Sequence, residues 1–445
     1  MRKLFGTDGV RGTANTELSP LLALKLGSAS ALVLRRKHKG AKMLIGRDPR
    51  ISGDILESAM SAGICSMGVD VYLTGVIPTP AVSYLTKQIN ADAGVVISAS
   101  HNPMKDNGIK FFGSDGYKLP DKIELEIEQN LENFDDFHRP RGAEVGRMYH
   151  SHDLGFRYLD HICESVPLDL TGVKVILDCS NGALSELAPI LFSRLGAEII
   201  LTNCEPDGIN INENCGSLYP KALQNAVTAN SAHIGIAFDG DGDRAILVDE
   251  KGRMVDGDHV MAICSIHLAA RGLLPGNSVV ATVMSNIGLE ASLKEKGISL
   301  VRTKVGDRYV SDEMRKSGYI VGGEKSGHLI FSNYSATGDG LITSLQVLKT
   351  MLESSKPLSE LADQMKEYPQ LLINIPVKSK TNWESNPAIS EIINQGVAQL
   401  ADRGRVFVRA SGTERLIRVM AEGPDLDELE KITSMISSIV KQELG

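Results

Sequence analysis

The stretch AGVVISASHNP, residues 93–103, sets a short apolar run against a turn built from Ser98, Ser100, His101, Asn102 and Pro103. The run is too short for a helix and rich in β-branched residues, which predicts a buried strand. The same pattern recurs three times. IGIAFDGDGDR covers residues 234–244, YIVGGEKSGH residues 319–328 and RVFVRASGTER residues 405–415. Each time an apolar strand delivers a polar loop bearing Gly or Ser. In open α/β sheets ligands sit beyond the carboxyl ends of the strands, so four such loops predict convergence on one cleft.

Outward from these stretches, strands alternate with helical patterns. A helix is predicted over 19–37, a strand at AKMLIG, a helix at SGDILESAMSAGICSMG, a strand at VDVYLTG and a helix at PTPAVSYLTKQI. The pattern restarts at GVKVILD, followed by a helix over 183–195 and the strand AEIILTN. It restarts again with a helix over 258–270, the strand SVVATV and a helix over 287–296. This alternation predicts mostly parallel sheets covered by helices. The last block reads differently, with strands LLINIPV, RVFVRA and LIRVMAE and helices over about 387–402 and 426–443. The expected fold is therefore α/β: three similar mixed-sheet α/β domains (1–152, 153–255 and 256–369) and a smaller α+β domain (370–445) around a central cleft.

The chain has 445 residues, more than one hydrophobic core accommodates. Its apolar and charged fractions, 42% and 23%, are those of a soluble globular protein. The formal net charge of −8, with Lys and Arg dispersed, argues against nucleic acid as a partner. No apolar run is long enough for a bilayer and the start MRKLFGTDGV lacks a signal-peptide core, which points away from a membrane and towards the cytoplasm. The six cysteines show no CxxC pair or metal-ligand spacing and read as reduced thiols.

The loops carry the candidate chemistry. Ser100 has an exposed-turn setting suited to a nucleophile beside a base; the competing reading is a turn whose Ser and Asn side chains bond only their own backbone. In DGDGDR, Asp239, Asp241 and Asp243 crowd one volume, and like charges so close call for a hard divalent cation. An EF-hand loop would need Gly where Arg244 stands, and helices where the flanks read as strands. Arg244 offers a cation for a phosphate oxygen. In the last loop Arg409, Ser411, Gly412 and Thr413, with Arg418 beyond, suit an anion nest or a hairpin with surface arginines. Glu324, Ser326 and His328 suit sugar hydroxyls or an amine. Arg11, Arg47 and Arg50 lie beside small residues, matching anion contact. Lys110 could stabilise charge or carry a proton.

Taken together, these motifs resemble the α-D-phosphohexomutase family over essentially the whole chain, most closely its glucosamine-phosphate branch. The resemblance implies that Ser100 is the phosphoserine and that Asp239, Asp241 and Asp243, with an oxygen of that phosphoserine, hold Mg²⁺. It further implies that Glu324, Ser326 and His328, helped by Gly306 and Asp307, bind the sugar, while Arg409, Ser411, Gly412, Thr413 and Arg418 bind phosphate. Arg11 and Lys110 resemble the catalytic cations. The implied reaction interconverts glucosamine 6-phosphate and glucosamine 1-phosphate through a 1,6-bisphosphate, supplying UDP-N-acetylglucosamine synthesis. A homodimer is implied as well. Lys110, His101 and His328 are alternative proton carriers. Lys325, Ala410 and Arg415 depart from the branch pattern of Gln, Pro and Pro. Lys325 keeps a preference for mannose or glucose phosphates as an alternative, and a sugar-phosphate phosphatase or a non-catalytic sensor are alternatives of other classes.

Overall fold

The computed structural model describes residues 4–6, 8–35, 40–411 and 415–445. The chain forms two compact units, Met1–Met284 with Ile298–Gln364, and Ser285–Gly297 with Met365–Gly445.

The first unit contains three sheets. The first is built from β1 (Val10–Thr13), β2 (Lys42–Arg47), β3 (Asp70–Val76), β4 (Ala93–Ile97), β5 (Asp106–Gly113) and β6 (Met148–His150), in the order β1-β5-β4-β2-β3-β6. The second contains β7 (Lys174–Asp178), β8 (Glu198–Thr202), β9 (Ile234–Phe238), β10 (Ala245–Asp249) and β11 (Met254–Val255), in the order β11-β10-β9-β7-β8. The third contains β12 (Ser278–Thr282), β13 (Ser299–Thr303), β14 (Val321–Gly323) and β15 (Leu329–Phe331), in the order β13-β12-β14-β15.

One plan underlies all three. Its first strand lies between the second and the third, and the third is followed by an antiparallel strand: β4 by β5, β9 by β10, β14 by β15. The first and third strands are buried along most of their length; β4 and β9 are buried at every residue, as strands covered on both faces must be. The sheets are thus mixed, and each candidate loop is the turn between the last parallel strand and its antiparallel neighbour.

The helices follow local signals. The helix Pro20–Leu34 opens with Ser19, whose Oγ accepts from Leu22 N, and with Pro at its start. Its expected residues 36 and 37 lie outside the described residues. The helix expected over 183–195 is shorter, Leu187–Arg194, because Ser180 and Asn181 adopt φ of 52° and 46° and the chain turns before it coils. No helix of the described residues is long and apolar enough to cross a membrane.

In the second unit β16 (Gln370–Pro376), β17 (Arg405–Ala410) and β18 (Leu416–Glu422) form an antiparallel sheet in the order β16-β18-β17. Helices Pro387–Leu400 and Leu426–Leu444 bury Ile389, Ile432 and Ile436 against Ile375, Ile417 and Val419. Ile417 is wholly buried. Ile417→Ala is expected to cost about 2–5 kcal/mol, read as a lower urea midpoint for this unit.

Candidate active site

The turn after β4 brings Ser100 to a buried position with φ of 53°. A left-handed serine costs about 1–3 kcal/mol and persists only where surroundings hold it. Here they do. Ser100 N donates to Ser98 Oγ (2.9 Å), and Ser98 Oγ donates to Asp48 Oδ2 (2.5 Å). Arg50, fully buried, donates to Asp48 Oδ2 at 2.8 Å and to the carbonyls of Ser100, Asn102, Pro103 and Asp106 at 2.6–3.2 Å. Asn212 Nδ2, from the second sheet's loops, adds bonds to the Ser100 and Asn102 carbonyls at 2.9 and 3.0 Å. Arg50 is therefore no contact for a bound anion; its donors are spent on Asp48 and on backbone carbonyls. Arg47 likewise pairs with Asp54 (2.7 Å) and Glu57 (3.5 Å).

The turn between β9 and β10 places Asp239, Asp241 and Asp243 so that one oxygen of each lies within 4.8 Å of the others. All three are buried. Ser100 Oγ donates to Asp239 Oδ2 at 2.6 Å, joining the serine to this cluster. The approach is close: a Cβ on Gly240 would stand 2.6 Å from Ser100 O, so only glycine fits. The strands on either side exclude the EF-hand geometry.

Cations surround the carboxylates. Lys110, buried on β5, bonds Asp241 (2.8 Å) and Asp8 (3.0 Å) and lies 3.9 Å from Asp243. Arg244 Nε lies 3.8 Å from Asp239 and 3.7 Å from Asp243. His328 Nδ1 is 3.4 Å from Asp243 and its Nε2 3.6 Å from Asp307. Burial would discharge these groups, but the carboxylates prevail. Lys110 is held above the usual lysine range despite burial, chiefly by Asp241 and Asp8. His328, which burial alone would lower, is carried up to about 9 by Asp243. Burial, with Arg244 and Arg11, brings His101 down to about 4. Asp239 is pushed well above the carboxylate range by burial and by Asp243 and Asp241.

This donor set fits a hard divalent cation. Asp241 Oδ1 and Asp243 Oδ1 are buried and have no hydrogen-bond partner among the described residues. Buried acceptors without partners are costly, and three carboxylate oxygens in one small volume are oxygen ligands of the kind Mg²⁺ takes.

The turn between β14 and β15 carries the third loop. Glu324 Oε1 accepts from Gly306 N at 3.1 Å, and Ser326 is exposed. Arg244 and His328 meet in a backbone bridge, tying this loop to the acidic one. Lys325 lies 3.7 Å from Asp256, the residue that caps the helix Gly257–Ala270. In the second unit, Arg409 and Arg418 are cross-strand partners on β17 and β18. Partial burial and its Arg418 neighbour lower the Arg409 guanidinium from its ordinary value. Ser411 N bonds Leu416 O at 2.8 Å. Gly412 and Thr413 lie outside the described residues.

The structure adds residues that the sequence reading missed. Asp8 bonds Arg11, Lys110 and Lys118, and Lys118 also bonds Asp307. Thr79 donates to Asp241 Oδ2 at 2.6 Å. Asp8 stands in FGTDGVRG, residues 5–12, where an acid three residues before Arg11 was the available signal. Thr79, the first residue of the helix Thr79–Gln88, gave none. The variant Arg50→Met would leave the buried Asp48 without its counter-ion and take one donor from each of four carbonyls. It is expected to lose about 3–5 kcal/mol, seen as a lower melting temperature, with only partial recovery in Arg50→Lys because an ammonium lacks the planar fork.

Comparison with known proteins places this geometry. The chain matches the α/β/α domain I of phosphoglucomutase/phosphomannomutase over residues 2–137, domain II over 156–252, domain III over 256–368 and the C-terminal domain over 372–439. It is 51% identical over 441 residues to the phosphoglucosamine mutase of Desulforamulus reducens, covering 99% of each chain. It is 52% identical over 443 residues to that of Pelotomaculum thermopropionicum, covering 99% of this chain and 100% of the relative. A crystal structure of a phosphoglucomutase/phosphomannomutase family protein from Burkholderia thailandensis shares the fold, with a TM-score of 0.82 at 24% identity over 99% of this chain and 98% of the other. With all four domains present in order, the chain belongs to the phosphoglucomutase/phosphomannomutase family.

Proposed function

We propose that this protein is a phosphoglucosamine mutase that interconverts glucosamine 6-phosphate and glucosamine 1-phosphate through a phosphoserine at Ser100. The observation that carries the reading is Ser100 Oγ, held on a left-handed turn 2.6 Å from Asp239 inside the acidic cluster. The names of its full-length relatives support the substrate.

In this reading Asp239, Asp241 and Asp243, with an oxygen of phosphorylated Ser100, hold Mg²⁺. The ion supplies neutralising charge to the phosphoryl oxygens. The phosphoryl passes from Ser100 to the free O1 of the substrate, giving a 1,6-bisphosphate and free Ser100. The bisphosphate turns over and its 6-phosphoryl returns to Ser100. The attacking hydroxyl's proton goes to His101, whose Nδ1 stands 3.4 Å from Ser100 Oγ. Lys110 and Arg11 offset charge as the phosphoryl moves. Glu324, Ser326 and His328, with Arg244, Gly306 and Asp307, orient the sugar. Arg409, Ser411, Gly412, Thr413 and Arg418 bind a phosphate group. The family resemblance further supports a cytoplasmic homodimer feeding UDP-N-acetylglucosamine synthesis.

Lys325 bears on sugar choice. A cation aimed at the substrate would disfavour a protonated amine. Its ammonium lies 3.7 Å from the buried Asp256, which supports tolerance of an amino sugar.

Ser100→Ala is expected to fold normally and to lose mutase turnover by at least about a thousandfold, since the transfer has no other acceptor. Activity near wild type would overturn the scheme, and steady release of inorganic phosphate by the wild type would make the protein a phosphatase. Chelation with EDTA should abolish turnover and added Mg²⁺ restore it. In a coupled assay kcat/KM should be higher for glucosamine 6-phosphate than for mannose or glucose phosphates; the reverse order would move the protein to the neutral-sugar branch.

A further inference from the structure

Strands β7 and β8 run side by side, with Asp178 opposite Thr202, and a cysteine follows the end of each. Cys179 N donates to Thr202 O at 3.2 Å and Asn181 N to Asn203 O at 2.6 Å, so the pairing continues past the strand ends to the residue before Cys204. Paired strands lie about 4.8 Å apart, and a disulfide joins Cα atoms about 4.4–6.8 Å apart. Cys204 Sγ donates to Ser185 O at 3.0 Å, which directs it onto the turn that Cys179 begins. There the two thiols hydrogen-bond to each other. Cys179 is wholly buried and Cys204 partly exposed, so a reagent from solvent meets Cys204 first. Cys204 is also the one thiol of the six drawn below its ordinary value, chiefly by the bond with Cys179. Burial pushes Cys65 up to about 11 and Cys215 and Cys264 up to about 12, and it raises Cys163 as well. The thiolate is the nucleophilic form, which favours Cys204 over the others.

We infer that Cys204 and Cys179 are a modification site for hydroperoxides, closing into a disulfide that displaces the turn supporting Ser100. The Cys204 thiolate attacks one oxygen of the hydroperoxide. An S–O bond forms as the O–O bond breaks, and the other oxygen leaves as an alcohol, or as water from hydrogen peroxide, after taking a proton. Cys179 sulfur then attacks the sulfenic sulfur, forming the S–S bond and releasing water. The two thiols lose two electrons and two protons, and the peroxide gains both. The turn reaches the catalytic loops by short paths. Cys179 O accepts from Gly182 N at 2.8 Å, and Ala183 N donates to Gly240 O, inside the acidic turn, at 2.8 Å. Ser180 O accepts from Asn212 N at 2.9 Å, and the Asn212 side chain holds the Ser100 carbonyl. Drawing Cys179 onto Cys204 therefore shifts supports of the serine and of the aspartates together. The effect on turnover rests on the mutase reading above; the disulfide itself does not.

The test treats the full chain, with Mg²⁺, with hydrogen peroxide and caps the remaining thiols with iodoacetamide. Protease digests are mapped by mass spectrometry without reductant, and mutase activity is followed in parallel. A peptide pair linked through Cys179 and Cys204 is expected, two hydrogens lighter than its parts and separated by dithiothreitol. Activity should fall about tenfold or more as catalytic groups are misplaced, and dithiothreitol should restore it. Cys204→Ser should match the wild type before treatment, form no linked pair and show no loss that dithiothreitol reverses. Absence of the linked pair overturns the inference, as does a link from Cys204 to any other cysteine. Complete linkage with unchanged activity overturns the effect on the serine turn. A protein inactive before treatment refutes the mutase reading instead, and the peptide masses still decide the disulfide.

Discussion

Three carboxylates buried within 4.8 Å of one another are an arrangement that no protein interior tolerates unaided. In a poorly polarisable interior their repulsion exceeds what a single fold contact can offset. The structure answers with cations drawn from all three sheets of the first unit: Lys110 from β5, Arg244 from the end of the acidic turn and His328 from the turn just before β15. Much else follows from that requirement. The repeated turn between a parallel and an antiparallel strand is what lets each sheet present one short polar loop to the same small volume. Asp8 then ties Lys110 to Lys118 and Arg11, so that the balancing charges are themselves held in place.

A second constraint acts on the serine. Its hydroxyl is useful only while the backbone stays in a conformation that serine ordinarily avoids, and Arg50 secures this by filling carbonyl acceptors that would otherwise turn elsewhere. Such preorganisation suits phosphoryl transfer, in which there is little covalent chemistry for the protein to perform and positioning carries the rate.

The central strands and the loops they deliver were legible in the sequence because they are local signals: short apolar runs ending at Gly, Ser or Asp. Ser100 and the three aspartates could be read from spacing alone as a nucleophile candidate and a cation site. β5 was harder to see. Asn107 and Lys110 are polar yet buried on it, so the apolar pattern that announces a strand is broken beside the acidic cluster. Arg50 read as an anion contact because nothing local reveals that its carbonyl partners lie 50–56 residues away. Thr79, Asn212 and Lys118 escaped for the same reason: their partners are 162, 112 and 189 residues distant in the chain. Lys325 looked like a conflict from its position in the motif, and only Asp256, 69 residues earlier, shows where its charge is directed.

Several of the bonds between neighbouring sheets lie at the site itself. Arg244 and His328 share one backbone bridge, Gly340 reaches Gly242 through a single amide, and Thr79 meets Asp241 at one hydroxyl and one amide. Each sheet has its own strands and its own turn, yet the site exists only while all three turns are in register. Activity is thus a conjunction: it vanishes when the least stable sheet opens, although the other two remain folded. Such a protein becomes inactive by partial opening before it melts, and its working lifetime is set by its weakest layer rather than by its total stability.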